Sequence, residues 1–142
     1  MEAGPAVERI LKEYGKQVRL VIKFYPYKYR DFARMSAEAA LAAAEQGKFR
    51  EMHRLLLKKS PKLDRDSLIR YAKEIGLDTE KFGLSLDSRK NDRLIERDLK
   101  LAMDLDLYNT PTFFINGRRI IGNVPYEYLK KVVVEELNAA KK

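Results

Sequence analysis

Asn109-Thr110-Pro111-Thr112-Phe113-Phe114-Ile115-Asn116-Gly117 is the stretch on which the reading of this chain turns. A polar turn with one proline runs straight into an apolar strand. Asn116-Gly117 is a residue pair that favours a two-residue hairpin turn, because both turn positions require positive φ. Arg118-Arg119-Ile120-Ile121-Gly122 supplies the returning strand. Pro125 suits the first position of a following helix, whose apolar face carries Leu129, Val132, Val133 and Leu137.

Upstream of the hairpin the periodicity is mostly helical. Val7, Ile10, Leu11 and Tyr14 follow i, i+3, i+4, i+7 spacing and predict a helix from about Pro5 to Tyr14, stopped by Gly15. Val18 to Phe24 reads as a strand covered on both faces, with Val18, Leu20, Ile22 and Phe24 on one side and Val21 on the other. Tyr25-Pro26-Tyr27 breaks that pattern. An alanine-rich helix is expected from about Phe32 to Gln46. A second carries Phe49, Met52, Leu55 and Leu56 and ends at Ser60-Pro61. Asp64 or Asp66 caps a third, bearing Leu68, Tyr71, Ala72 and Ile75. Thr79 to Leu86 is a short helix, and Ser88 opens a long one with Leu94, Leu101, Ala102 and Leu105 inward. The predicted order is helix, strand, five helices, two strands, helix. No internal repeat, linker or low-complexity tract interrupts it.

The chain has 142 residues, 45% hydrophobic and 35% charged, which fits one globular domain with a real core. No run approaches the roughly 18 apolar residues of a membrane span. Residues 1–11 lack a basic start, an apolar core and a small-residue cleavage site, so no signal peptide is expected. The net charge of +8 is concentrated in residues 1–62. Such a surplus attracts nucleic acid or anionic membrane, but no compact run of five or six basic residues occurs. A solvated basic surface is therefore expected, with no nucleic-acid partner. Cysteine is absent and histidine occurs once, as His53. A lone imidazole without thiolate partners makes a poor zinc site. No metal, cofactor or catalytic side chain is expected, and His53 reads as a packed structural residue.

These pieces, in this order, resemble the DsbA-like thioredoxin-fold family of thiol–disulfide oxidoreductases. The matching segments are Lys23-Phe24-Tyr25-Pro26, Ala37-Glu38-Ala39-Ala40-Leu41-Ala42-Ala43, Gln46-Gly47-Lys48-Phe49 with Met52-His53, the Thr110-to-Gly117 stretch, and Gly122 to Leu129. The resemblance implies one α/β domain over residues 1–142, with a thioredoxin-like sheet and a helical insertion at about 48–106. It implies cysteine-containing or unfolded polypeptides as partners, and a periplasmic or envelope location. In that family a strand leads into Cys-x-x-Cys at a helix start, where free N–H groups favour the thiolate. Here the first helix begins near Pro5, so that strand and both cysteines would lie upstream. A late start, a Cys-x-x-selenocysteine motif read as a stop, and a naturally cysteine-free protein are all open at this point. Without its central strand the sheet either closes up or takes its pairing from a second chain, as in a homodimer through the exposed sheet.

The resemblance makes Thr110, Pro111 and Thr112 the substrate-peptide site. In the family a cis bond before the proline frees backbone groups for an extended substrate; the residues alone are equally consistent with a trans turn proline. Tyr25, Tyr27 and Tyr29, interleaved with Lys28 and Arg30, have three readings. They line a peptide groove, stack single-stranded bases, or cover the sheet end with amphipathic rings. The chain as written is expected to be inactive in dithiol exchange. The alternative is a non-catalytic peptide-binding or chaperone-like thioredoxin-fold module.

Overall fold

The computed structural model describes residues 3–141. Seven helices and two strands form among them: α1 Ala3–Tyr14, α2 Ala33–Ala44, α3 Phe49–Lys59, α4 Arg65–Glu74, α5 Thr79–Asp87, α6 Asp92–Asp104, β1 Thr112–Ile115, β2 Arg118–Ile121 and α7 Tyr126–Ala139. They separate into two compact units, Met1–Ile22 with Asp106–Lys142, and Lys23–Leu105.

In the first unit α1 ends where the sequence places its stop. A Cβ on Gly15 would sit 2.3 Å from the Leu11 carbonyl oxygen, so only glycine fits there. β1 and β2 pair antiparallel, with Phe113 opposite Ile120 and Phe114 opposite Arg119. Asn116 and Gly117 hold φ values of 47° and 90°, as a two-residue turn with two left-handed positions demands. Ile10, Ile120, Leu129, Val132 and Val133 form the core of this unit, and Val7, Phe113 and Ile115 pack against them. At the rim Glu13 of α1 accepts hydrogen bonds from the Tyr126 hydroxyl at 2.5 Å and Lys130 Nζ at 3.0 Å on α7. The Arg9 guanidinium lies over the Tyr126 ring, 3.7 Å from its centre.

In the second unit α2 is central. Ala39, Ala40, Ala42 and Ala43 are completely or almost completely buried, and their small side chains let neighbouring helices approach closely. Met52, Leu68 and Phe82 fill the space around them. Asp64, not Asp66, caps α4, accepting the Ser67 amide at 3.0 Å. Asp78 caps α5 through the amides of Glu80 and Lys81. Pro125 is the N-cap of α7 rather than its first residue.

Two further expectations are corrected. Val18–Phe24 forms no strand, and the sheet contains only β1 and β2. Arg19 to Lys23 make no backbone–backbone hydrogen bonds, and Leu20 and Val21 are 45% and 57% exposed. An apolar run with β-branched residues becomes a strand only when a neighbour satisfies its amides and carbonyls. Here no neighbour does, and the sheet has not closed up over the gap. The long helix after Ser88 starts at Asp92, and its inner face carries Ile95, Asp98 and Ala102, while Leu94, Leu101 and Leu105 are exposed. The turn at residues 88–91, with Arg89 at φ 51°, resets the helical phase. The architecture is nonetheless α/β and thioredoxin-like: a small hairpin sheet lacking its usual first strand, with a DsbA-type block of helices.

Candidate functional site

The proline loop enters β1 directly. The Thr110–Pro111 peptide bond is cis. The Pro111 carbonyl accepts the Gly122 amide at 2.7 Å, extending the ladder by one bond, and so is not free for a substrate. Thr112 Oγ1 donates to the Asn109 carbonyl at 2.7 Å, closing the turn on itself. Thr110 is different: it is exposed, and neither its backbone nor its hydroxyl has a partner among the described residues. Of the two threonines, Thr110 is the one whose hydroxyl has no partner.

The tyrosine segment belongs to the second unit. Tyr27 and Tyr29 stack with ring centres 5.1 Å apart, and Tyr25 meets Tyr27 edge-on at 5.2 Å. These rings form one wall of a groove of about 960 Å3. Its other lining includes Met35, Leu86, Leu99 and the polar Arg34, Glu38 and Glu96. The three tyrosines are thus brought together along one wall. His53 stacks on Phe49 with ring centres 5.7 Å apart, a packing role.

Two buried acids escaped the sequence reading. Asp98, 5% exposed, accepts Lys23 Nζ at 3.0 Å and the Phe24 amide at 3.1 Å. The signal for it was a carboxylate within the Ile95–Ala102 stripe of α6. Glu38, inside the alanine run of α2, is 3% exposed, and neither carboxylate oxygen has a hydrogen-bond partner. Burial first, then the neighbouring Asp92 carboxylate, pushes its carboxyl above the ordinary range. Asp92 itself is held below that range by the Arg34 guanidinium, which pairs with it and with Glu96. Glu45, the C-cap of α2, shows the contrast. Burial raises its carboxyl, but Lys90, Asn91 and Ser85 all donate to it and together hold it low.

No set of three metal-ligating side chains occurs among the described residues, and no helix there is long and apolar enough to cross a membrane. The proline loop offers the free hydroxyl of Thr110, and the groove, in the other unit, offers aromatic surface.

The family model of the DSBA-like thioredoxin domain matches residues 3–134. Among solved structures, a thioredoxin-like oxidoreductase from Silicibacter pomeroyi DSS-3 is 29% identical with a TM-score of 0.84, over 99% of this chain and 78% of that one. The catalytic domain of Proteus mirabilis ScsC is 27% identical with a TM-score of 0.77, over 95% of this chain and 74% of that one. A relative named Na(+)/H(+) antiporter NhaA 3, from Salinispora tropica, is 40% identical over 99% of this chain. The match takes up 22% of that protein, so the chain spans about a fifth of the length of the curated relative. The antiporter name describes that much longer protein. With its helical block, its proline loop and a family match running from Ala3 to Val134, this chain belongs to the DSBA-like thioredoxin domain family.

Proposed function

We propose that the chain is the cysteine-free part of a DsbA-like thiol–disulfide oxidoreductase, arranged as one domain with residues 48–106 as its helical insertion. Its work is to hold polypeptide substrate, and these 142 residues alone perform no dithiol exchange. The observation that carries this is the coexistence of the family match with a chain that contains no cysteine. Exchange requires a thiolate to attack a disulfide sulfur and a second thiolate to leave. No other side chain can take either part, so no mixed disulfide can form on this chain. Insulin reduction and dithiol oxidation by the purified protein should equal the buffer blank. Turnover above the blank would overturn the proposal.

The second reading is a peptide-binding module without chemistry. The free polar groups of Thr110 and the stacked Tyr27–Tyr29 wall support it. Cysteine-containing or unfolded polypeptides are the partners in both readings. Saturable binding of a reduced, unfolded protein should weaken several-fold in a Thr110→Ala, Pro111→Ala double variant. Unchanged binding would remove Thr110, Pro111 and Thr112 as the peptide site. The exposed Leu20 and Val21 support a homodimer in which a second copy covers the unpaired segment. Sedimentation at micromolar concentration should then show a dimer that Leu20→Lys dissociates. A monomer for the parent chain would end that assignment. Ion transport receives no support from the fifth of the antiporter-named relative that this chain matches.

A further inference from the structure

The tyrosine groove carries an uncompensated charge. Among its carboxylates, Asp87 accepts from Arg65 Nε at 2.7 Å and from the same guanidinium again at 2.5 Å. Glu96 pairs with Arg34 at 2.7 Å. Glu38 lies beneath the surface with both oxygens covered, where burial favours its neutral form. Behind the lining, Asp92 takes Arg34 and, at 2.9 Å, Arg89. Three of the groove's five cations are therefore spoken for. The other two, Lys28 and Arg30, are exposed and form no ion pair or side-chain hydrogen bond. Asp31 follows Arg30 in sequence but does not line the groove.

Beside those two cations lies aromatic and apolar surface. Tyr29 is 76% exposed, its ring stacked on Tyr27, and Met35, Leu86 and Leu99 contribute to the same cavity. A volume of about 960 Å3 is at the upper end of the usual range for ligand pockets, roughly 300–1,000 Å3. The groove thus offers two free positive charges next to rings that can bury an apolar side chain.

We propose that this groove binds an extended acidic polypeptide segment. An Asp or Glu carboxylate is held by Lys28 and Arg30, and an adjacent apolar or aromatic side chain lies against Tyr27, Tyr29 and Met35. The proposal rests on the peptide-binding reading above and adds the chemistry of the segment bound. A single nucleic-acid strand fits less well. It needs a row of free cations along its phosphates, and here two are free.

Fluorescence anisotropy with the intact 142-residue protein tests this. The probes are a labelled ten-residue peptide of alternating Leu-Glu-Phe-Glu composition, its Gln-for-Glu counterpart, and a ten-nucleotide oligothymidylate. The acidic peptide should bind at least tenfold tighter than the Gln peptide in 50 mM salt. A Lys28→Ala, Arg30→Ala double variant should lose that discrimination while keeping the parental melting temperature. Tyr29→Ala should weaken both peptides alike. If the Gln peptide binds as tightly as the acidic one, or the double variant still discriminates, the charge assignment fails and the peptide-binding reading stands. If neither peptide binds, both fail. Tighter binding of oligothymidylate than of the acidic peptide would overturn the polypeptide assignment.

Discussion

Lys23 and Asp98, 75 positions apart in sequence, meet at 3.0 Å, and the same carboxylate accepts the Phe24 amide. Asp98 is 5% exposed, whereas the Lys23 side chain is 45% exposed, so one ion of the pair is buried and the other half in water. The carboxylate thereby fixes the entry of the chain into the Tyr25–Tyr29 segment. Its bonds to Lys23 and Phe24 hold a stretch that lacks strand pairing, and Arg97 donates to it as well, at 3.3 Å.

Asp98→Ala leaves the Phe24 amide without a partner and the Lys23 ammonium beside an apolar helix face. Loss of a charged acceptor at a buried site costs about 2–4 kcal/mol. Urea denaturation should show a destabilisation of that order. A change below about 0.5 kcal/mol would mean that the contact does not hold the segment.

Glu38 predicts a pH dependence of definite sign. Its carboxyl is raised in the folded protein, so folding favours the protonated form. That contribution is fully present below the unfolded pKa of about 4.3 and is lost as pH rises through the higher folded value. Glu38→Gln removes the titration, and the Gln amide can donate toward Asp92. The melting temperature of the variant minus that of the parent should therefore grow between pH 4 and pH 7. A flat or falling difference would contradict the buried-acid account.

Glu13 behaves in the opposite sense. The Tyr126 hydroxyl first, then Lys130, holds its carboxyl below the ordinary range. Its contribution is present above the unfolded pKa and lost as pH falls through the lower folded value. Glu13→Gln should lower the melting temperature at pH 7 and leave it nearly unchanged near pH 3. An equal loss at both pH values would point to packing rather than charge.

Gly117 occupies φ 90°, where a Cβ-bearing residue is strained although the space around it is open. Gly117→Val should cost roughly 1–2 kcal/mol through the backbone alone. Gly4, with open space and no positive φ, is the control, and Gly4→Ala should be neutral or stabilising. Equal effects at the two positions, measured by chemical denaturation, would rule out the turn as the cause.

Local information was enough for much of this protein. Apolar periodicity located the seven helices among the described residues, though it misread the start and inner face of α6; the Asn116-Gly117 pair dictated the hairpin, and Thr110-Pro111 marked the loop ahead of β1, because each depends on residues within one turn or one hairpin. The alanine run announced a closely packed α2 for the same reason. Tertiary structure decided what depends on partners distant in sequence. Val18–Phe24 has the composition of a strand, yet strand formation is a property of two segments, and the second is missing beside it. Glu38, inside α2, and Glu45, at its C-cap, are the same letter, but Lys90, Asn91 and Ser85 donate to Glu45 whereas Glu38 is buried beside the Asp92 carboxylate. Likewise Lys28 and Arg30 differ from Arg34 and Arg65 in having no carboxylate brought to them from a distant element, as α6 brings Asp92 to Arg34 and α5 brings Asp87 to Arg65. Which charges are free is a matter of three-dimensional neighbours, and no spacing along the chain encodes it.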